Sequence, residues 1–358
     1  MKVGIVIYGS LSTPTGGYLY DRKLVEYLRE QGDQVKIISL DKKRYLQNIF
    51  DNFSRSFLRR LIKSKIDVLL EDELNHPSLF YINRELRNKV RYPIVTIVHH
   101  LSYSASLNMI SRFFYRILEK SYLSSVNGFI FNSRTNRDFI KSFMGKNLVG
   151  VVAYPGRDHI CHKVTQNMVS QRVNRSEPLK ILFVGNLLPH KGLHTLIKAL
   201  SIIETERWSL TVIGNPSISK NYTESVKNLI QKNNLDSRIE LLGFVDNDEL
   251  SAFFKKSHLL IVPSIYEGFG IVYLEALGFG IPVIATTNGA AKEIIRHSEE
   301  GFLVPPEDPQ SLARHISILI NNPDLLNNMS RNSIKRYEDF PTWSTSMKKI
   351  RDFLVTII

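Results

Sequence analysis

Two glutamates eight residues apart, Glu267 and Glu275, stand in the segment Pro263-Ser264-Ile265-Tyr266-Glu267-Gly268-Phe269-Gly270-Ile271-Val272-Tyr273-Leu274-Glu275-Ala276. The run follows a buried-strand pattern and opens a helical one, so a helix is expected to begin near Gly270. Amides at a helix N-terminus point outward and carry about half a positive charge, which suits an anion such as a diphosphate, and Gly268 and Gly270 let it approach. A start at Gly270 puts Glu275 more than a turn inside the helix and leaves Glu267 on the loop before it. Carboxylates at such different depths serve different groups. Each can accept two hydrogen bonds from vicinal hydroxyls, one holding a ribose and the other a sugar ring. The plainer alternative makes Glu267 a helix N-terminal acid and Glu275 a solvated face residue.

The elements that must position these groups repeat along the chain. Val3-Gly4-Ile5-Val6-Ile7 leads through Thr13-Pro14-Thr15-Gly16-Gly17 into Leu24, Val25 and Leu28 at helical spacing. Leu179-Lys180-Ile181-Leu182-Phe183-Val184 leads through Gly185-Asn186 and Lys191-Gly192 into Leu193, Leu196, Ile197 and Leu200 in the same way. Further short apolar runs alternate with helical patterns in both halves, which predicts two α/β domains, each a doubly wound parallel sheet covered on both faces. A length of 358 residues suits two domains. The expected division is 1–165, a polar linker over 166–178 ending at Pro178, a second domain over 179–340, and a final helix over 341–358.

Composition narrows the partners. Residues 1–170 hold 26 Lys plus Arg against 14 Asp plus Glu, whereas residues 171–358 hold 21 against 20, so nearly all of the net +13 lies in the first half. A one-sided basic field draws a polyanion, either nucleic acid or an anionic membrane leaflet. Two basic amphipathic stretches favour the membrane, and no nucleic acid is expected. Phe53, Phe57, Leu58, Leu61 and Ile62 share one helical face with Arg55, Arg59, Arg60, Lys63 and Lys65 mostly off it; Ile110, Phe113, Phe114, Ile117 and Leu118 form the second, with Arg112, Arg116 and Lys120. Both faces have an alternative use, packing on the first domain's sheet, and for the second helix that is the preferred reading. No run of 18 apolar residues is present, and the first nine residues read as a strand, too short for a signal-peptide core. A cytoplasmic protein, peripheral at the inner face of a membrane, is the expectation. The lone Cys161 excludes an internal disulfide and reads as an inert thiol.

Several ordered motifs together resemble glycosyltransferase family 4. They are Glu267 and Glu275 within the Pro-Ser-x-Tyr-Glu-Gly-Phe-Gly segment, Gly185-Asn186-Leu187-Leu188-Pro189-His190-Lys191-Gly192 upstream, and Gly301-Phe302-Leu303-Val304-Pro305-Pro306 downstream. The resemblance implies the GT-B architecture, two Rossmann-like domains facing each other across a cleft, with the last helix crossing back to the first domain. It implies a retaining enzyme that takes a hexose-type sugar from a UDP- or GDP-sugar, with no metal or other cofactor, and the chain is accordingly expected to hold no Asp-x-Asp sequence. By resemblance Glu275 binds the ribose hydroxyls and Glu267 the donor sugar. The amides around Gly268, Phe269, Gly270, Ile271 and Val272 meet the diphosphate, and Phe244 and Val245 flank the base. Lys191 is the diphosphate cation, since without a metal the leaving group's charge falls to cations and helix dipoles. Many relatives carry Arg where this chain has Asn186, and His190 or an Arg elsewhere is the expected substitute. In the first domain Gly16-Gly17 resembles the family's flexible loop near the donor phosphate and acceptor. His99, with His100 as the alternative, matches a histidine placed near the donor sugar.

Three features stay open between function and structure. Asn132-Ser133-Arg134 either faces the cleft or caps a helix. The acidic run Glu71-Asp72-Glu73 reads as solvated, with acceptor binding by Asp72 or Glu73 as the functional alternative. For the chain as a whole, the rivals to glycosyl transfer onto a glycan or lipid-linked acceptor are a nucleotide-sugar epimerase of the same architecture and a non-catalytic lipid- or nucleic-acid-binding protein.

Overall fold

The computed structural model describes residues 1–100, 109–145, 147–160, 172 and 178–358. The expected linker, 166–178, lies outside these except for Arg172 and Pro178, as does Cys161. Two compact units emerge, one formed by Met1–Gly156 with Pro341–Ile358, the other by Arg157–Phe340.

The first unit is built on a parallel sheet of β1 (Lys2–Tyr8), β2 (Gln34–Leu40), β3 (Val68–Asp72), β4 (Ile94–Val98), β5 (Gly128–Phe131) and β6 (Gly150–Val152), in the order β2-β1-β3-β4-β5-β6. β3, β4 and β5 are buried along their whole length, so helices must cover both faces. These include α1 (Gly16–Glu30), α2 (Arg55–Ile62), α3 (Met109–Leu123) and α4 (Arg134–Met144). Gly16 and Gly17, expected in a loop, are the first two residues of α1. Thr15 sets that start, its Oγ1 accepting from the Tyr18 amide at 3.4 Å. The helix over Trp343–Ile357 belongs to this unit, where Arg351 Nε meets Asp33 Oδ2 at 2.7 Å.

The second unit repeats the plan with β7 (Leu179–Val184), β8 (Trp208–Ile213), β9 (Ile239–Gly243), β10 (Leu259–Ile261), β11 (Val283–Thr286) and β12 (Gly301–Val304), in the order β12-β11-β10-β7-β8-β9 and parallel throughout. Its helices include α5 (Leu193–Ile202), α6 (Asn247–Lys256) and α7 (Ile271–Gly278). The strand order reverses between β7 and β10, which are hydrogen-bonded neighbours. In an open α/β sheet the loops leaving the two strands at such a switch point diverge and open a ligand crevice at their carboxyl ends. The first unit has its own switch between β1 and β3.

The two basic amphipathic stretches each divide between core and surface. Phe57 and Leu61 of α2 enter the core of the first unit, whereas Phe53 just before it is exposed. On α3, where core packing was the preferred reading, Leu118 is buried but Phe113, Phe114 and Ile117 are exposed. Tyr122 and Leu123 join Leu118 in the interior, so the last turns of α3 carry its packing and those apolar side chains before them face solvent.

Candidate functional site

The loop after β7 carries Asn186, His190 and Lys191, and the loop after β10 carries Ser264 and Glu267, so the switch point brings together groups 76 residues apart. The loops are joined backbone to backbone. The Ile265 amide donates to the His190 carbonyl at 2.8 Å, and Gly192 packs so closely that a Cβ there would lie 2.1 Å from the Pro263 carbonyl oxygen. Across this frame Lys191 Nζ donates to Glu267 Oε2 at 2.7 Å, and Ser264 Oγ donates to the same oxygen at 3.1 Å. Burial alone would raise the Glu267 carboxyl, but the Lys191 ammonium, helped by His190 and Ser264, outweighs it and holds Glu267 below the ordinary carboxylate range. Glu267 is therefore ionised at neutral pH.

Just beyond, Gly270 caps α7 with φ +93°, and no acidic residue occupies the helix's first turn. The positive end of α7 is thus uncompensated by its own side chains, which suits an anion. Glu275 lies on α7, one turn in, and burial pushes its carboxyl up to about 7. The two glutamates differ as their depths imply, one ionised beside a lysine and the other poised to titrate.

Other residues singled out in this unit fall into place unevenly. The Phe269 side chain is buried, its ring meeting Phe340 edge to face at 6.3 Å, so only its backbone is available to a ligand. Phe244 is 64% exposed and Val245 half-buried, on the turn after β9 that Gly243 begins. Asn186 is half-buried. His190 does not replace the missing arginine charge, because burial and the adjacent Lys191 push its imidazole down and leave it neutral at pH 7. The chain does contain an Asp-x-Asp triplet, Asp246-Asn247-Asp248, against the expectation that it holds none. It is the cap of α6, with Asp246 Oδ1 accepting from the amides of Asp248 and Glu249 at 3.0 and 2.9 Å. Its triplet spacing serves the backbone.

In the first unit His99 directly follows β4 as a buried residue, and its Nε2 lies 3.0 Å from Asp21 Oδ1 on α1. Gly17 rests against the same ring. His100 is half-buried, and its amide donates to Glu73 Oε2 at 3.3 Å. Ser133 caps α4 through the Asn136 amide, and Asn132 Nδ2 donates to the His99 carbonyl, so of the two open readings the helix cap holds for Ser133.

The acidic run expected at the surface is interior. Glu71, Asp72 and Glu73 are all buried, because β3 is covered on both faces. Asn83 Nδ2 donates to Glu71 at 2.8 Å, and the Leu74 amide to Asp72 at 2.9 Å. Burial lifts Glu71 to about 7, and burial with the Asp21 charge does the same for Asp72. Glu73 groups with His76 and Glu119, one ligand-capable atom of each lying within 4.8 Å of the others. The imidazole there is already engaged, with the Glu73 carbonyl at Nδ1 and the Tyr45 hydroxyl 2.7 Å from Nε2, and burial pushes it down to about 4. The imidazole is thus neutral at pH 7 and held at both nitrogens. Asp21, the partner of His99, gave no sequence signal, since a single aspartate on a helix carries no motif.

Comparison with known proteins adds a family match over part of the chain. Residues 165–336 match the family described as glycosyl transferases, group 1. An uncharacterized glycosyltransferase of Methanocaldococcus jannaschii is 36% identical over 170 residues, 48% of this chain and 46% of that protein. The chain spans about half the length of the first curated relatives it matches. Among solved structures, sucrose-phosphate synthase from Thermosynechococcus elongatus superposes with a TM-score of 0.85 at 19% identity, covering 99% of this chain and 98% of that one. HepE of Anabaena, solved with UDP and glucose, gives 0.77 at 18% identity over 99% and 100%. At such identities the structural likeness shows the fold, two Rossmann-like units, and the sequence match is confined to residues 165–336, which are similar to the group 1 glycosyl transferases.

Proposed function

We propose that this chain is a retaining, metal-independent glycosyltransferase that moves a hexose-type sugar from a UDP- or GDP-sugar to a hydroxyl of a glycan or lipid-linked acceptor. The observation that carries the reading is the Lys191–Glu267 pair beside the uncompensated N-terminus of α7, at the switch point of the second sheet. A sugar and the phosphate bonded to it need an anion-binding and a hydroxyl-binding group a few Å apart, and a lysine touching a glutamate supplies both. Lys191 and the amides at Gly270 to Val272 take the diphosphate, Glu267 the sugar hydroxyls, Glu275 the ribose, and Phe244 with Val245 the base. His99, Gly16 and Gly17 are assigned to the same reaction from the first unit. UDP is the favoured nucleotide because HepE was solved with it.

Catalysis on this reading is electrostatic. The departing phosphate takes the acceptor's proton, no side chain acts as nucleophile, and Lys191 with the helix end stabilises the developing charge. Glu267→Ala is expected to abolish transfer, and full activity after prolonged chelation is required. Thermal-shift screening of nucleoside diphosphates and their sugars tests the donor, since a ligand at 100 times its Kd stabilises the native state by about 2.7 kcal/mol. Absence of any shift with UDP, GDP or their sugars contradicts the reading. Incubation of the donor without acceptor separates the epimerase alternative, which alone yields an isomerised donor.

An anionic membrane surface fits as the place where the acceptor is met. Phe50, Phe53, Phe113 and Ile117 are exposed on the basic first unit, and Tyr45, which leads the helical segment before Phe50, packs against Phe114 and Tyr115 of α3. Exposed apolar side chains on a basic unit suit the headgroup boundary of an anionic leaflet. No helix among the described residues is long and apolar enough to cross a membrane.

A further inference from the structure

Asp21 stands on α1, one turn beyond Gly17, and is fully buried. Its Oδ1 lies 3.0 Å from His99 Nε2, while Oδ2 is buried without a hydrogen-bond partner. The imidazole is held from several sides. The Tyr20 ring meets it edge on at 5.4 Å between centroids, and a Cβ on Gly17 would touch its Cδ2 at 3.4 Å. Its own carbonyl accepts from Asn132 Nδ2 at 3.3 Å and from Asn136 Nδ2 at 3.0 Å. Asp72 faces the same centre from the end of β3, with an atom within 4.8 Å of both the Asp21 carboxylate and the ring.

A buried carboxylate is costly unless a positive partner balances it, and among the described residues no Lys or Arg is paired with Asp21 or Asp72. The ring is the balancing group. Burial by itself would lower the His99 imidazole, but the Asp21 charge and hydrogen bond, with Asp72 behind them, outweigh it and hold the group above its ordinary value. Asp72, drawn up to about 7, takes the weaker share of that pairing.

We propose that Asp21 is a positioning residue for His99: it engages the Nε2 hydrogen and leaves Nδ1–H as the ring donor presented to an oxygen of the sugar nucleotide. The inference rests on the proposed assignment of His99 to the donor sugar. It deepens that assignment by fixing which nitrogen works and in which state. His99 is then a hydrogen-bond donor and not a base, which agrees with a reaction whose leaving phosphate removes the proton. It also predicts that the ligand atom opposite Nδ1 is an acceptor, a hydroxyl or phosphate oxygen.

The test is nitrogen-15 NMR of the histidine rings in the full chain, with His99 assigned by its loss in His99→Ala, alongside turnover as a function of pH. In the parent protein His99 titrates above an ordinary imidazole with its Nε2 hydrogen bonded. In Asp21→Asn the titration falls by about one pH unit or more, and the alkaline limb of kcat moves down with it. Asp21→Glu, which keeps the carboxylate, restores the titration and serves if the Asn variant does not fold. An unchanged His99 titration in Asp21→Asn, or in Asp21→Glu no elevation above an ordinary imidazole, overturns the proposal. A titration that moves while the turnover profile stays fixed upholds the Asp21 pairing and removes His99 from the reaction, so the two readings fail separately.

Discussion

Replacing Lys191 with Met should weaken the second unit in a way that pH reveals. The variant leaves the Glu267 carboxylate with the Ser264 hydroxyl and no cation at hydrogen-bond distance. A hydrogen bond to a charged group is worth about 1.5–3 kcal/mol, and removing one partner of a fully buried ion pair costs about 3–5 kcal/mol. The Lys191 and Glu267 side chains are 22% and 16% exposed, so solvent takes up part of that cost and ~2 kcal/mol is expected at pH 7. For a unit the size of 157–340, each kcal/mol moves the melting temperature by about 2–4 °C, which gives a drop of about 4–8 °C. Glu267 is depressed in the native state, so the pair's contribution is fully present above the ordinary carboxylate pKa and is lost as pH falls through the native value. In Lys191→Met burial acts unopposed, the carboxyl rises and protonates sooner, and the gap to the parent should begin to close below pH 6. Calorimetric melts of both proteins from pH 7.5 to 4.5 measure this. The double variant Lys191→Met/Glu267→Gln should recover much of the loss. A variant as stable as the parent at pH 7, or a gap that does not change across that range, refutes the reasoning.

Three further outcomes are expected. Glu275 is pushed up to about 7 by burial, so the parent should lose stability as pH rises from about 4.5 to 7; Glu275→Gln should lack that loss, gaining about 1 kcal/mol or more at pH 8 in chemical denaturation, and should bind nucleoside diphosphate more weakly by titration calorimetry. Gly192→Ala and Gly243→Ala both force a left-handed backbone, φ +74° and +83°, but only the first meets a carbonyl, so Gly243→Ala should cost about 1–2 kcal/mol and Gly192→Ala a further 1–3 by urea melts. Phe50→Ser/Phe113→Ser should reduce flotation with anionic liposomes at low salt while leaving the melting temperature within about 2 °C, because both rings are exposed.

The parallel sheets were legible because their strands read as short continuous apolar runs, and the turn before α7 was legible because two glycines follow an acid just ahead of a helical pattern. Glu267 and Lys191 could be named from their motifs, but their contact could not. It depends on β10 inserting beside β7, a pairing that periodicity does not encode. The acidic run 71–73 misled because charge predicts exposure only when no buried polar partner is available, and Asn83 and His100 supply such partners. The helix cap at Asp246 shows the converse, a triplet with metal-site spacing used by the backbone. Helix α3 exposes apolar residues that the amphipathic pattern had assigned to the core, since a wide apolar stripe does not say which part of it touches the sheet.

The separation of 76 residues between Lys191 and Glu267 has a bearing on biogenesis. Loop closure over such a span is entropically costly until the strands between are in place, so the pair cannot help nucleate its own unit. A chain still emerging from the ribosome, complete through β9 but lacking β10, has Lys191 and no counter-charge, and offers a nucleoside diphosphate only half of its site. The nucleotide therefore discriminates between finished and unfinished molecules. It should protect the former against proteolysis and leave the latter exposed to the cell's quality control.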